Sequence, residues 1–277
     1  HTLVIGGGIA GLRAAIGLAD IGLRVTLVER EISLGGWVRT FGAMYPHNRD
    51  GAAMVDLGAQ SSHPDAEDVS VSDELRRLEP LIAPLAAEGV RVSVDTREPE
   101  VMARALQLGA VCINDITALR TPGAIEAVRD SDALLILMHS TAAHARAERV
   151  GTSNVDWIAR VRAFFHERSA ALDRAGIARE RWILDPGMGF FLSTEASASL
   201  AVLRRIGELR EFGVPLCVGA SRKSFIGSTL GRATQERGAG TLASELWCAE
   251  HGVAWIRTHD VRALSDALRM RKAIEKA

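Results

Sequence analysis

VRVSVDTREPEVMARALQLGAVCIND, residues 90–115, decides the fold of this 277-residue chain. Its first six residues, 90–95, are β-branched and apolar at alternate positions and end on Asp95. A proline at 99 then opens an amphipathic stretch over 99–108, and a second apolar run, 110–115, ends on Asn114 and Asp115. A strand, a helix and a strand joined this closely form a parallel crossover unit. Polar residues gathered at the strands' C-terminal ends are what a barrel of such units presents at its active rim.

The same unit recurs on both sides. Strands are expected at 2–5, 24–29, 53–58, 90–95, 110–115, 133–138, 181–185, 214–219 and 253–258. Helices are expected at 72–88, 99–108, 122–131, 154–175, 195–212, 235–251 and 262–275. From residue 53 onward this makes seven strand–helix units, one short of an eight-stranded α/β barrel. Residues 30–52 lack clear periodicity and read as a loop or as a seam between two different segments.

Composition excludes several classes. A net charge of -1 with 24% charged residues gives no basic face for nucleic acid. No apolar run reaches the ~18 residues of a membrane span, and a cytoplasmic protein is expected. Cys112, Cys217 and Cys248 are far apart in apolar segments and contain no C-x-x-C pair, so they read as buried free thiols. Strand-end polar residues are Asp56, Asp95, Asn114, Asp115, His139, Asp185, Arg257 and His259, with Lys223 just past its strand. Singly, each could be a helix cap or turn former; together they point to a site.

The stretches DLGAQSSHPDAEDVSV (56–71), CINDITALR (112–120), ILMHS (136–140), RWILDPGMGFF (181–191), VGASRKSFIGSTLG (218–231) and IRTHDV (256–261), with residues 90–106, resemble in order the strand-end motifs of dihydropteroate synthase. The resemblance covers about residues 52–275 and implies a TIM-like (β/α)8 barrel. The implied reaction joins p-aminobenzoate to 6-hydroxymethyl-7,8-dihydropterin pyrophosphate, expelling pyrophosphate with Mg2+. It implies catalytic Asp95, Asp185 and Lys223. Substrate contacts would come from Ser62, His63, Pro64, Asn114, His139, Phe190, Ser224, Arg257 and His259. Of these, Asp95, Asn114 and Asp185 would hold the pterin, and Arg257 with His259 the pyrophosphate. The family's Asn that helps hold Mg2+ and pyrophosphate has no counterpart in this chain, so no metal ligand is carried over. It also implies a homodimer acting on small molecules.

Two departures stand out. Ser61-Ser62-His63-Pro64 replaces the usual S-T-R-P, so that His63 stands where the family carries an arginine, and the aromatic-rich run 185–193 is similar to sulfonamide-insensitive variants. The family's first loop, N-x-T-x-D-S-F, has no counterpart here.

In its place stands VIGGGIAGLRAAIGLADIGLRVTLVEREISLGGWVRTF, residues 4–41. Gly6, Gly8 and Gly11 follow a strand and open a helix, and Glu29 ends the next strand, which is the dinucleotide fingerprint in its proper setting. The stretch resembles the FAD-binding start of heterodisulfide-reductase-type flavin oxidoreductases and implies FAD as a ligand. The resemblance stops near residue 51. The expected organisation is therefore a partial dinucleotide-binding-like segment at 1–51 and a barrel at 52–277. Strand 2–5 with helix 11–21 is expected to fill the vacant first barrel slot, with the glycine loop offering its amides to a phosphate. Two alternatives stay open: a fragment of an FAD-binding oxidoreductase, and a catalytically inactive pterin-binding chimera.

Overall fold

The structure, a computed structural model, describes residues 2–5, 25–28, 40–46, 54–60, 68–141 and 155–277. In chain order the strands are β1 (Thr2–Ile5), β2 (Val25–Val28), β3 (Thr40–Pro46), β4 (Met54–Gly58), β5 (Arg91–Asp95), β6 (Cys112–Asp115), β7 (Leu134–Met138), β8 (Trp182–Asp185), β9 (Cys217–Val218) and β10 (Trp255–Thr258). The helices are α1 (Val71–Ala87), α2 (Pro99–Gln107), α3 (Ala124–Arg129), α4 (Trp157–Arg174), α5 (Ala196–Arg204), α6 (Ser224–Leu230), α7 (Gly238–Glu250) and α8 (Val261–Ile274).

Eight strands form one sheet in the order β8-β7-β6-β5-β4-β3-β10-β9, and a parallel bridge between Leu184 and Leu216 joins its two ends. The α/β barrel is therefore closed, which removes its edges. Local signals start the helices. Ser70 accepts from the Asp73 amide at the head of α1, Asp156 accepts from Ala159 at α4, Asp260 accepts from Ala263 at α8, and α2 opens on Pro99.

The main apolar core lies between sheet and helices and includes Trp182, Phe165, Leu78 and Ile113. A separate cluster of Met54, Cys112, Ile136, Ile183 and Cys217 accounts for two of the three cysteines. All three are buried and free, as expected. Burial pushes the thiols of Cys112 and Cys248 up to about 12, so they behave as small apolar side chains.

The vacant slot is filled, but not by residues 2–5. β1 and β2 pair with each other in parallel, Thr2 opposite Val25, in a two-stranded sheet apart from the barrel. The barrel's remaining position is taken by β3, from a stretch read as loop, and β3 runs antiparallel to both β4 and β10. The connection explains the direction. Only residues 47–53 separate β3 from β4, and a parallel return needs a dozen residues or more. Thr40 thus pairs with Gly58 at the rim, while Pro46 pairs with Trp255 at the opposite end.

Two smaller differences concern helices. The stretch 195–212 is α5 followed by a 3-10 turn over Ile206–Phe212, and α6 was absent from the sequence reading because Gly227, Ser228 and Thr229 are poor helix formers.

Candidate active site

Three carboxylates, from β4, β5 and β8, converge on one guanidinium in the barrel mouth, and an amide from β6 is bonded to the first of them. Arg257 on β10 lies 3.4 Å from Asp56 Oδ2, 3.7 Å from Asp95 Oδ2 and 3.6 Å from Asp185 Oδ2. Asn114 on β6 donates to Asp56 Oδ2 at 3.0 Å. Gly219, at the end of β9, makes room for the cation: a Cβ there would sit 3.0 Å from Arg257 Nε. Burial works against the Arg257 charge, but Asp56, Asp185 and Asp95 outweigh it and hold the guanidinium more firmly protonated than usual.

The carboxylates respond in the opposite sense. Burial, reinforced by Asp56, raises Asp95 to about 7 despite the Arg257 cation. Burial also raises Asp185, against the pull of Arg257, the Gly187 amide and Lys223. Three charges of one sign around a single cation leave the group short of positive charge. Asp56 Oδ1, Asn114 Oδ1 and Asp185 Oδ2 are buried without a hydrogen-bond partner among the described residues. Buried acceptors left open in this way favour a ligand rich in N–H donors.

The turn after β8 aims Asp185. The Gly187 amide donates to Asp185 Oδ1 at 2.8 Å. Gly187 has φ +70, and a Cβ on it would collide with the His139 carbonyl oxygen, so only glycine fits. The His139 amide donates to the Asp185 carbonyl at 2.8 Å, and its Nδ1 is 3.1 Å from the Pro186 carbonyl. A carbonyl only accepts, so Nδ1 carries the hydrogen. Burial lowers this imidazole to about 4, and its ring meets Phe164 edge-on at 5.0 Å. His139, expected to touch substrate, is engaged with the backbone and holds the Asp185-Pro186-Gly187 turn.

Lys223 and His259 occupy the neighbouring arc of the rim. Lys223 Nζ stands 4.8 Å above the Phe191 ring, and burial, aided by Arg257, lowers its ammonium to about 8. His259 Nδ1 lies 2.8 Å from Ser221 Oγ, which also accepts from the His259 amide at 3.3 Å. Ser221 Oγ carries two lone pairs and one hydrogen, so it can hold both the amide and Nδ1 in either tautomer of the ring. Burial and the cations Arg222, Lys223 and Arg257 lower the His259 imidazole. Ile116, Met138 and Phe191 form an apolar wall, with Phe190 packed against it.

Ser224 begins α6 beside Lys223. Ser62, His63 and Pro64 lie outside the described residues, as do Gly6, Gly8, Gly11 and Glu29. Asp115, counted among the strand-end polar groups, is structural: it accepts from the Thr117 and Leu119 amides at 2.7 Å each and from the Thr117 hydroxyl. Asp56 reads in the sequence as a strand-end carboxylate without an assigned contact, and Phe191 as the alternative to Phe190 beside the arylamine. Met138 is not singled out there, since an apolar residue carries no signal that separates a pocket wall from core.

The profile of the family described as "Pterin binding enzyme" matches residues 43–259, and that of "NAD(P)-binding Rossmann-like domain" matches residues 4–77. The type-3 dihydropteroate synthase of Escherichia coli is 43% identical over 226 residues, covering 81% of this chain and 86% of the relative. The chain belongs to the dihydropteroate synthase family. A dihydropteroate synthase from Xanthomonas albilineans, solved with 4-aminobenzoic acid, superimposes with a TM-score of 0.76 at 32% identity, over 100% of this chain and 93% of that one. The same enzyme in complex with 7,8-dihydropteroate gives a TM-score of 0.72 at 33% identity, over 100% and 92% of the two chains. The antiparallel β3 sits within a barrel that, taken whole, superimposes on these dihydropteroate synthases.

Proposed function

We propose that this site makes dihydropteroate. The arylamine nitrogen of p-aminobenzoate attacks the methylene carbon of 6-hydroxymethyl-7,8-dihydropterin pyrophosphate. The new C–N bond forms as the C–O bond breaks, pyrophosphate leaves with the electron pair, and the amine nitrogen releases its proton. The open acceptors on Asp56, Asn114 and Asp185 carry this reading, because a pterin edge presents ring N–H and amino donors in one plane. In this reading Asp185 and Asn114 hold that edge, Lys223 reaches the ring carbonyl, and Asp95 stabilises positive charge developing at the methylene.

Arg257 and His259 then face the departing pyrophosphate, and Ser224 with Phe190 lies on the arylamine side. Ser62, His63 and Pro64 are the corresponding contributors from the second loop. Mg2+ would neutralise pyrophosphate charge. The described donor set does not fit a protein-held ion: Asp56, Asp95 and Asp185 already face Arg257, and no three His, Cys, Asp or Glu side chains converge as ligands among the described residues. Mg2+ commonly enters on substrate phosphates with its own waters instead.

Phe190, beside the apolar wall, is proposed to exclude the sulfonyl group of sulfonamides while admitting the smaller carboxylate. The partly exposed Leu200, Leu230, Trp247, Met270 and Ile274 on α5, α6, α7 and α8 support a homodimer through this side of the barrel. The pairing of β3 within the barrel supports a seam between Val28 and Thr40, ahead of the expected residue 51. The parallel β1–β2 pair supports a dinucleotide-type start; FAD binding has no support beyond the resemblance.

The test is binding of the dihydropterin pyrophosphate, followed by calorimetry. Tight binding lost in Asp185→Asn supports the reading, and equal binding by both proteins contradicts it.

A further inference from the structure

The loop that delivers Lys223 holds its middle residue in an unusual conformation. Arg222 has φ 56, one of three non-glycine residues with positive φ among the described residues. That conformation costs an L-residue roughly 1–2 kcal/mol, so something must hold it. The Arg222 amide donates to Thr241 Oγ1 at 3.0 Å, and its carbonyl accepts from Arg237 Nη1 at 2.9 Å. The same nitrogen is 3.3 Å from the Lys223 carbonyl, while Arg237 Nε donates to the Arg232 carbonyl at 3.2 Å. Arg237 thus ties the loops on both sides of α6 together. Its guanidinium lies against Gly227 in α6, where any Cβ would collide with it. Thr241 is buried one turn into α7, so the clamp is anchored on a helix outside the rim.

We propose that Arg237 is a positioning residue for Lys223: with Thr241 it fixes Arg222 in the left-handed conformation and so sets the Lys223 ammonium over Phe191. The proposal rests on the reading in which Lys223 touches the pterin. Without the clamp Arg222 relaxes toward the ordinary helical φ near −60°, a swing of about 120° in one backbone dihedral. The lysine then leaves the rim. Its surroundings are the Arg257 cation on β10 and the Asp185 and Asp95 carboxyls at the ends of β8 and β5, and leaving them returns the amine to an ordinary environment.

The experiment is competitive acylation of the full chain across pH, quantified at Lys223 by mass spectrometry, beside steady-state kinetics. In the wild type Lys223 should become half-reactive near pH 8. In Arg237→Gln the transition should move up toward the ~10.4 of a free lysine, and kcat/KM for the pterin substrate should fall about 10²-fold. Thr241→Val keeps the shape but removes one anchor, and should shift both in the same direction by less.

Arg222→Gly supplies the decisive control, since glycine adopts positive φ without cost. Adding it to Arg237→Gln should recover part of both losses, which a general packing defect would not allow. An unmoved Lys223 transition in Arg237→Gln and Thr241→Val overturns the proposal, as does the absence of recovery with Arg222→Gly. The labelling needs no turnover, so it answers even if dihydropteroate synthesis fails.

Discussion

Asp95→Asn should stabilise the folded protein while disabling it. The Asp95 carboxyl is raised to about 7 by burial and by Asp56, roughly three units above its unfolded value of ~3.9. A carboxyl whose folded value is raised favours folding most when protonated. Its contribution is complete below about pH 4 and is lost as the pH climbs through 7. Three units correspond to a ceiling of about 4 kcal/mol at pH 8. The side chain keeps 20% of its surface exposed, which lets water screen the charge, so we expect roughly 1–3 kcal/mol.

Asn keeps the shape and removes the charge. Its melting temperature should exceed the wild type's by about 3–8 °C at pH 8, and the difference should narrow as the pH falls and close below about pH 4, where Asp95 is neutral in the folded and the unfolded chain alike. Calorimetric scans at both pH values measure this, and turnover should fall about 10²–10³-fold in the same protein. An equal difference at both pH values, or a variant less stable at pH 8, would refute the electrostatic account of this site.

Gly187→Ala should lose about 1–2 kcal/mol from the left-handed backbone alone, and more from the His139 carbonyl it strikes; urea unfolding and pterin affinity should both show it. Arg257→Gln leaves Asp56, Asp95 and Asp185 uncompensated and should cut kcat/KM about 10²–10³-fold, with stability falling further as pH rises and the carboxyls ionise. Phe190→Gly should make turnover sensitive to sulfonamides at least about tenfold lower in concentration, the scale of one lost apolar contact; equal inhibition of variant and wild type would end that idea.

The barrel was legible because each strand end announces itself twice, by the halt of an apolar run and by a polar residue such as Asp95, Asn114 or Asp185. β3 was not, since TFGAMYP carries a glycine and a proline and lacks clear alternation. Its direction follows from the short link to β4, a length argument the sequence already contained. At the site, charged residues were visible as types but not as a group: no spacing tells that Arg257 faces three carboxylates from β4, β5 and β8. His139 was no plainer for the same reason, because a histidine at a strand end reads alike whether its ring meets a substrate or the carbonyl of Pro186. The clamp of Arg237 and Thr241 lies on α7 and the turn before it, well away in sequence from the loop it holds, and only the strained backbone of Arg222 exposes it.

The most direct test of the account is pyrophosphate release by the purified chain given the dihydropterin pyrophosphate, p-aminobenzoate and Mg2+, beside Lys223→Ala. The account predicts release that needs both substrates and is lost in the variant, with the antiparallel β3 supporting catalysis in the slot it fills. Release without p-aminobenzoate, undiminished release in Lys223→Ala, or none from the wild type would contradict it.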